Sequence, residues 1–310
     1  MKKNATATAT PAAALQPKKV GVPLEDKILY TTVNVVMILW LIIVLFPVIF
    51  IVASSFSSST AISTGRVLLW PVEFSTAAYK AVFQYKMVWN GFANTIFYTV
   101  VGTIINLIGT TLCAYPLSRR TYQGRAFVTT LFIIPMFIGG GMIPAYLNVR
   151  ELGLLDNRLV LFIPGLISTS NMIIMRTFFT SSIPADLQEA ASLDGCSDIR
   201  YLLQIVLPLS KAVMSVLLLY YAVGHWNAYY NALLYLRTAS KYPLQLILRT
   251  VLISYEGQDV NAGGAQAMKE QAGEAMKYGL IVVTTVPILL VYPFIQKYFE
   301  KGVMIGSLKG

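Results

Sequence analysis

Side chains able to do chemistry are few in this chain, and most of them fall in two stretches. The first is Glu189-Ala190-Ala191-Ser192-Leu193-Asp194-Gly195, closed by Ile205-Val206-Leu207-Pro208. Its acids and small residues suit contact with another protein better than bond-making. The second holds Tyr220, Tyr221, His225, Trp226, Asn227, Tyr229, Tyr230 and Asn231. Trp226 is one helical turn from both Tyr229 and Tyr230, so an unbroken helix would set them on one face. Aromatic faces and amides of this kind stack on and hydrogen-bond a sugar ring. Asn171, beside Ser168, Thr169 and Ser170, adds a further amide. The same aromatic types also anchor helices at membrane interfaces, and that reading stays open for each of them.

Other chemistry is missing from the sequence. There is no His-Glu-x-x-His, no Gly-x-Ser-x-Gly and no Gly-rich Walker loop ending in Lys-Ser or Lys-Thr. No catalytic residue and no nucleotide site are therefore expected. One histidine cannot build a His-rich metal site. Cys113 and Cys196 stand far apart and read as inert packing residues rather than a disulfide.

The elements that must position these residues are apolar. Of 310 residues, 56% are hydrophobic and 12% charged, against about a quarter charged in a soluble domain. Mean hydropathy is +0.63. These values predict a polytopic membrane protein. The net charge of +10 does not imply nucleic acid, because the basic residues flank apolar runs instead of forming one stripe.

Six runs, 29–54, 91–117, 126–147, 159–179, 212–236 and 278–298, have the ~20 residues a span needs. Backbone groups in lipid must pair within their own segment, so an all-α protein with six transmembrane helices is expected. The runs are too continuously apolar for a membrane β-barrel. The first run exceeds the ~7–15 residues of a signal-peptide core, so Val52-Ala53-Ser54-Ser55 is not expected to be a cleavage site. Away from the ends of the runs, His225 in the fifth and Arg176 near the inner end of the fourth are the clear candidates for charge. Arg176 is expected to snorkel to the near interface, and His225 to be neutral and hydrogen-bonded.

The expected divisions are a polar, disordered tail over 1–28, a six-helix domain over 29–298 and a short basic tail over 299–310. Five lysines precede the first run, Arg119, Arg120 and Arg125 follow the second, and Lys297, Lys301 and Lys309 close the chain. Six spans put all three groups on one side, which the positive-inside rule makes cytoplasmic. The 237–277 loop carries five basic residues on the other side and mildly contradicts this, but it also has four acids and is long.

The loop 181–211 between the fourth and fifth runs reads as a helical hairpin. Ser181 or Ser182 is the expected cap, with Pro184 in the first turn and Asp186 and Glu189 near the positive helix end. Asp194-Gly195 supplies a stop. Ser197 or Asp198 starts a second helix, and Pro208 marks a further change of geometry. On residues alone, an amphipathic hairpin at the interface and a docking surface for a soluble partner are both open.

The spacing Glu-Ala-Ala, three residues, Gly, nine residues, Ile-x-Leu-Pro resembles the signature of ABC importer permeases. It falls on Glu189, Ala190, Ala191, Gly195, Ile205, Leu207 and Pro208. Trp226-Asn227, Tyr242-Pro243-Leu244 and the ending 301–310 are similar to the maltose-type carbohydrate-uptake permeases, and the similarity runs from about residue 30 onward. Within these, the chain resembles oligosaccharide permeases that work with lipoprotein binding proteins, some of them importers of pectin-derived fragments. The resemblance implies the type I ABC importer transmembrane fold. It makes Glu189, Ala190, Ala191, Asp194, Gly195, Ile205, Leu207 and Pro208 part of a coupling helix docked in a cleft of a cytoplasmic ATPase, and it sends the tail toward the ATPase dimer.

It further implies a second, similar permease subunit, two ATPase subunits holding the ATP and magnesium, and an extracytoplasmic solute-binding protein. The expected location is a bacterial cell membrane with both termini cytoplasmic. An acidic residue often follows Trp-Asn in the family, whereas Ala228 stands here, so a sugar contact at this point is not carried over. An ion-coupled secondary transporter remains the alternative, weakened because the spans hold no carboxylate. A membrane-embedded enzyme is disfavoured by the scarcity of titratable groups.

Overall fold

The computed structural model describes residues 23–255 and 273–307. Lys2, Lys3, Lys18, Lys19, the Ala/Thr-rich stretch 4–15 and residues 308–310 lie outside the described residues. The chain forms two units, Met1–Ile49 and Phe50–Gly310. The first contains most of α1, Leu24–Ser55, a helix whose mean hydropathy reaches 3.3. Glu25 and Asp26 occupy its first turn, where the helix dipole favours acids.

The second unit begins with the last turn of α1 and two short helices, α2 (Ser59–Ser63) and α3 (Ala77–Gln84). Then comes α4, Lys86–Ser118, the long helix around which this unit is organised. α5 (Arg125–Phe137) and α6 (Met142–Glu151) follow. A 3₁₀ turn at Arg158–Leu161 leads to α7 (Thr169–Ser182). The hairpin comprises α8 (Ala185–Leu193), α9 (Asp198–Tyr201), a π-helical turn (Leu202–Val206) and α10 (Leu207–Leu209). Last come α11 (Lys211–Trp226), α12 (Tyr230–Tyr235), a 3₁₀ turn (Ala239–Lys241), α13 (Leu244–Tyr255) and α14 (Ala275–Ser307).

Among the described residues, α1 and α4 are long and apolar enough to cross a membrane. The segments 198–209 and 211–226, bent by 84°, make a third candidate. Three of the six apolar runs are not continuous helices. The run 126–147 breaks between α5 and α6, where Gly141 adopts φ +81°. The run 159–179 is α-helical only from Thr169, and 212–236 breaks at 227–229. Apolarity sets what a segment dissolves in; it does not set whether the helix is unbroken. The last helix does not end at 298 but continues to Ser307.

Two apolar clusters pack against opposite ends of α4. Near Ser118 lie Leu117, Met172, Met175, Phe179, Ala191, Tyr201, Leu202, Val206 and Leu217, which join α4, α7, the hairpin and α11. Near Lys86 lie Val82, Val88, Leu244, Val251, Met276 and Leu280. Gly91 lets α13 approach here, because a Cβ on it would lie 2.4 Å from Ile247 Cδ1.

Candidate functional site

The hairpin starts one turn later than the expected serine caps. Ser181 and Ser182 belong to the end of α7, and Pro184 is the residue before α8. Proline lacks the N–H that a helix start would leave unpaired, so it suits this position. Asp186 sits in the first turn. The stop is as expected from Asp194-Gly195. Gly195 adopts φ +71°, Asp194 N–H donates to Ala190 O at 3.1 Å, and Cys196 N–H donates to Ala191 O at 2.9 Å. Ser197 caps α9 by accepting from Arg200 N–H.

The two faces of this hairpin differ. Ala191, Tyr201 and Leu202 are buried in the apolar cluster, with Ile205 and Leu207 half-buried against it. Glu189, Ala190, Asp194 and Pro208 are exposed, and so are Leu193, at 90%, and Ile199, at 72%. Among the described residues, no cation pairs with the Glu189 carboxylate. An anchored inner face and a free outer face, acidic with two large apolar side chains, can hold a partner surface.

The residues named for a sugar path are not assembled into one face. Trp226 ends α11 and Tyr230 begins α12, so the break at 227–229 removes the shared helical face. Trp226 is a packing residue: its Nε1–H donates to Thr284 O at 3.1 Å and its ring meets Phe92 edge-on. Asn227 turns back to Val223 O. Asn171 is buried in the first turn of α7. Tyr229 and Tyr230 remain exposed. Tyr229 carries the Arg249 guanidinium 5.4 Å from its ring centre.

A polar seam on α4 went unread in the sequence. Asn94, Tyr98, Gly102, Asn106 and Thr110 recur every four residues along it, all buried. Asn94 Nδ2 donates to Ser240 O and Tyr242 O, and Tyr98 OH donates to Lys241 O. Asn106 Nδ2 donates to Gly165 O and Leu166 O at 2.7 and 2.8 Å. Its amide hydrogens are thus engaged on carbonyls, so Asn106 Oδ1 must accept from His225 Nε2, 2.7 Å away. Thr110 meets Tyr221 OH at 2.6 Å. His225 is therefore a hydrogen-bonded helix link, as expected, and Arg176 ends on Leu117 O.

At the Lys86 end, Asp156 ties two loops together. Thr238 Oγ1–H, the N–H groups of Thr238 and Arg237, and Lys241 Nζ all donate to its carboxylate. These bonds, the Thr238 hydroxyl first, hold its pKa well below the usual carboxylate range.

Comparison with known proteins decides what this architecture belongs to. Residues 105–305 match the family described as the binding-protein-dependent transport system inner membrane component. The chain belongs to that family. The chain is 38% identical over 274 residues to the polygalacturonan/rhamnogalacturonan transport system permease protein YtcP of Bacillus subtilis (strain 168), covering 88% of this chain and 96% of that one. It is 42% identical over 270 residues to protein LplC of the same organism, covering 86% and 90%. Among solved structures it matches a chain of a bacterial ABC transporter involved in the import of the acidic polysaccharide alginate. The TM-score is 0.83 at 35% identity, covering 91% of this chain and 100% of that one.

The protein is thus an all-helical, multi-pass permease of a binding-protein-dependent ABC importer, and not an enzyme. Permeases of this family work with an ATPase and a solute-binding protein. That membership sets aside the ion-coupled transporter.

Proposed function

We propose that this permease imports acidic oligosaccharides of the pectin type, as one of two similar permease subunits above a pair of ATPase subunits. ATP and magnesium would be held by the ATPases, with no cofactor in this chain. The hairpin's exposed face, carrying Glu189, Ala190, Leu193, Asp194 and Gly195, docks on the ATPase at the cytoplasmic surface. Both termini lie on that side. The observation that carries this reading is the hairpin itself: one face built into the apolar cluster, the other exposed among the described residues.

The substrate class is supported by two relatives, one named for polygalacturonan and rhamnogalacturonan and one for alginate, an acidic polysaccharide. Arg249 against Tyr229 adds a local reason. A uronic acid offers a ring face for stacking and a carboxylate for a guanidinium, and among the described residues no acid pairs with Arg249. A substrate contact at Trp226, Asn227 or Asn171 is less well supported, because all three are engaged or buried.

The test is uptake into proteoliposomes holding the complete importer with ATP inside. Trigalacturonate should accumulate and neutral maltotriose should not. Glu189→Lys should leave the chain inserted and lower uptake by about tenfold or more, a usual size for a lost coupling between sites. Maltotriose uptake at the trigalacturonate rate would overturn the substrate class. Wild-type uptake by the lysine variant would overturn the docking role.

A further inference from the structure

Arg119, just past the end of α4, contributes more than its charge. Its Nη1–H donates to Gln188 Oε1 of α8 at 2.7 Å. Its guanidinium carbon lies 4.3 Å from the ring centre of Tyr115 and 4.8 Å from that of Tyr201. Tyr115 belongs to α4 and Tyr201 to α9, so the cation touches a ring from each side of the joint. Tyr115 OH also donates to Asp198 O at 3.2 Å. Together these contacts reach both limbs of the hairpin from one helix end.

The chemistry of the contact is unusual. Among the described residues no carboxylate forms an ion pair with Arg119, and its Nε–H is buried with no acceptor. The guanidinium is therefore held by two aromatic faces and one amide oxygen, contacts that strengthen where water is excluded. A cleft of about 490 Å³ beside it, lined in part by Tyr122, Asp198 and Leu202, leaves room for substituted side chains at position 119.

The chain itself links the hairpin only to α7 and α11. The route into α11 is indirect, since it passes through the π-helical turn Leu202–Val206 and an 84° bend. The α4 route is a single helix of 33 residues with Pro116 in its last turn. It is hydrogen-bonded through Asn94 and Tyr98 to the 240–242 carbonyls at its other end and through Asn106 to α11 and the 165–166 turn.

We propose that Arg119 is a positioning residue that locks the hairpin to α4, so that movement passes between the ATPase and the far side of the membrane through this helix. The inference rests on the reading of the hairpin as the ATPase contact. Hydrolysis stimulated by the solute-binding protein reports this transmission, because that protein acts from the opposite side of the membrane.

The experiment uses the complete importer in nanodiscs, with ATP hydrolysis measured with and without its own binding protein. Arg119→Met keeps the apolar stem and removes the fork. It should retain basal hydrolysis and lose about tenfold of the stimulation, within the range typical of a broken coupling. Arg119→Lys should recover only part of it, since an ammonium lacks the planar face. Among the described residues, the buried Tyr201 OH has no hydrogen-bond partner, so Tyr201→Phe should behave as wild type while Tyr201→Leu should mimic Arg119→Met. This pair decides the matter if the methionine variant does not assemble.

Full stimulation in Arg119→Met, or equal stimulation in the Phe and Leu variants of Tyr201, overturns the clamp and leaves the permease reading standing. A wild-type importer that ignores its binding protein overturns both.

Discussion

Gly102 shows how one missing side chain secures a buried polar link. A Cβ placed there would lie 2.5 Å from Cε1 and Nε2 of His225. The imidazole cannot retreat without giving up Asn106 Oδ1, and Asn106 is itself fixed by two carbonyls. Gly102→Ala gains about 1 kcal/mol of helix propensity but overfills a packed contact, which costs about 1–3 kcal/mol. The net expectation is a lower unfolding temperature in detergent. Combining it with His225→Ala should remove the added penalty of the alanine, because the clash has then gone. A stabilised Gly102→Ala protein would show that the ring moves freely. From sequence, His225 was readable as a hydrogen-bonded group because an unpaired polar group at that depth is costly. Its partner was not readable: Asn94, Asn106 and Thr110 look like interruptions of an apolar run until the helix is seen to aim them all inward.

The helical hairpin turns on a backbone requirement that can be separated from packing. Gly195 sits at φ +71°, and a Cβ there would meet nothing within 4 Å. Any loss on substitution therefore comes from the left-handed conformation, about 1–2 kcal/mol for an ordinary L residue. Asparagine tolerates this region and should be nearly neutral. Gly195→Val should loosen the turn between α8 and α9 and reduce co-purification of the ATPase, while Gly195→Asn should not. Equal retention of the ATPase by both variants would mean that the turn does not shape the docking surface. This turn was legible because glycine after a short polar helix has a local cause. The late start of α8 and the break at 227–229 were not, because they depend on what the neighbouring elements leave unpaired. The helical hairpin's second attachment, through Arg119, was equally hidden, since positions 119, 188 and 201 meet only in the fold.

Across the whole molecule, α4 turns local contacts into a statement about sides. Its 33 residues extend about 50 Å at ~1.5 Å per residue, which exceeds the ~30 Å hydrocarbon core. The hairpin is bonded near its Ser118 end, through Tyr115 and Arg119, and the 240–242 turn at its Lys86 end. A helix of this length and apolarity is able to set its two ends on opposite faces of the bilayer. Arg119, Arg120 and Arg125 stand at the hairpin end in a short, acid-free flank, and short flanks outweigh long loops in setting orientation. One basic residue at the other end is offset, because Lys241 pairs with the Asp156 carboxylate at 2.9 Å, so the mild contradiction in the 237–277 loop shrinks. Ser192 and Ala239 are exposed at the two ends. With Cys113 and Cys196 replaced by serine, Ala239→Cys should react with a membrane-impermeant maleimide in intact spheroplasts. Ser192→Cys should react only in inverted vesicles. The reverse pattern would place the helical hairpin outside the cell, where no ATPase could reach it.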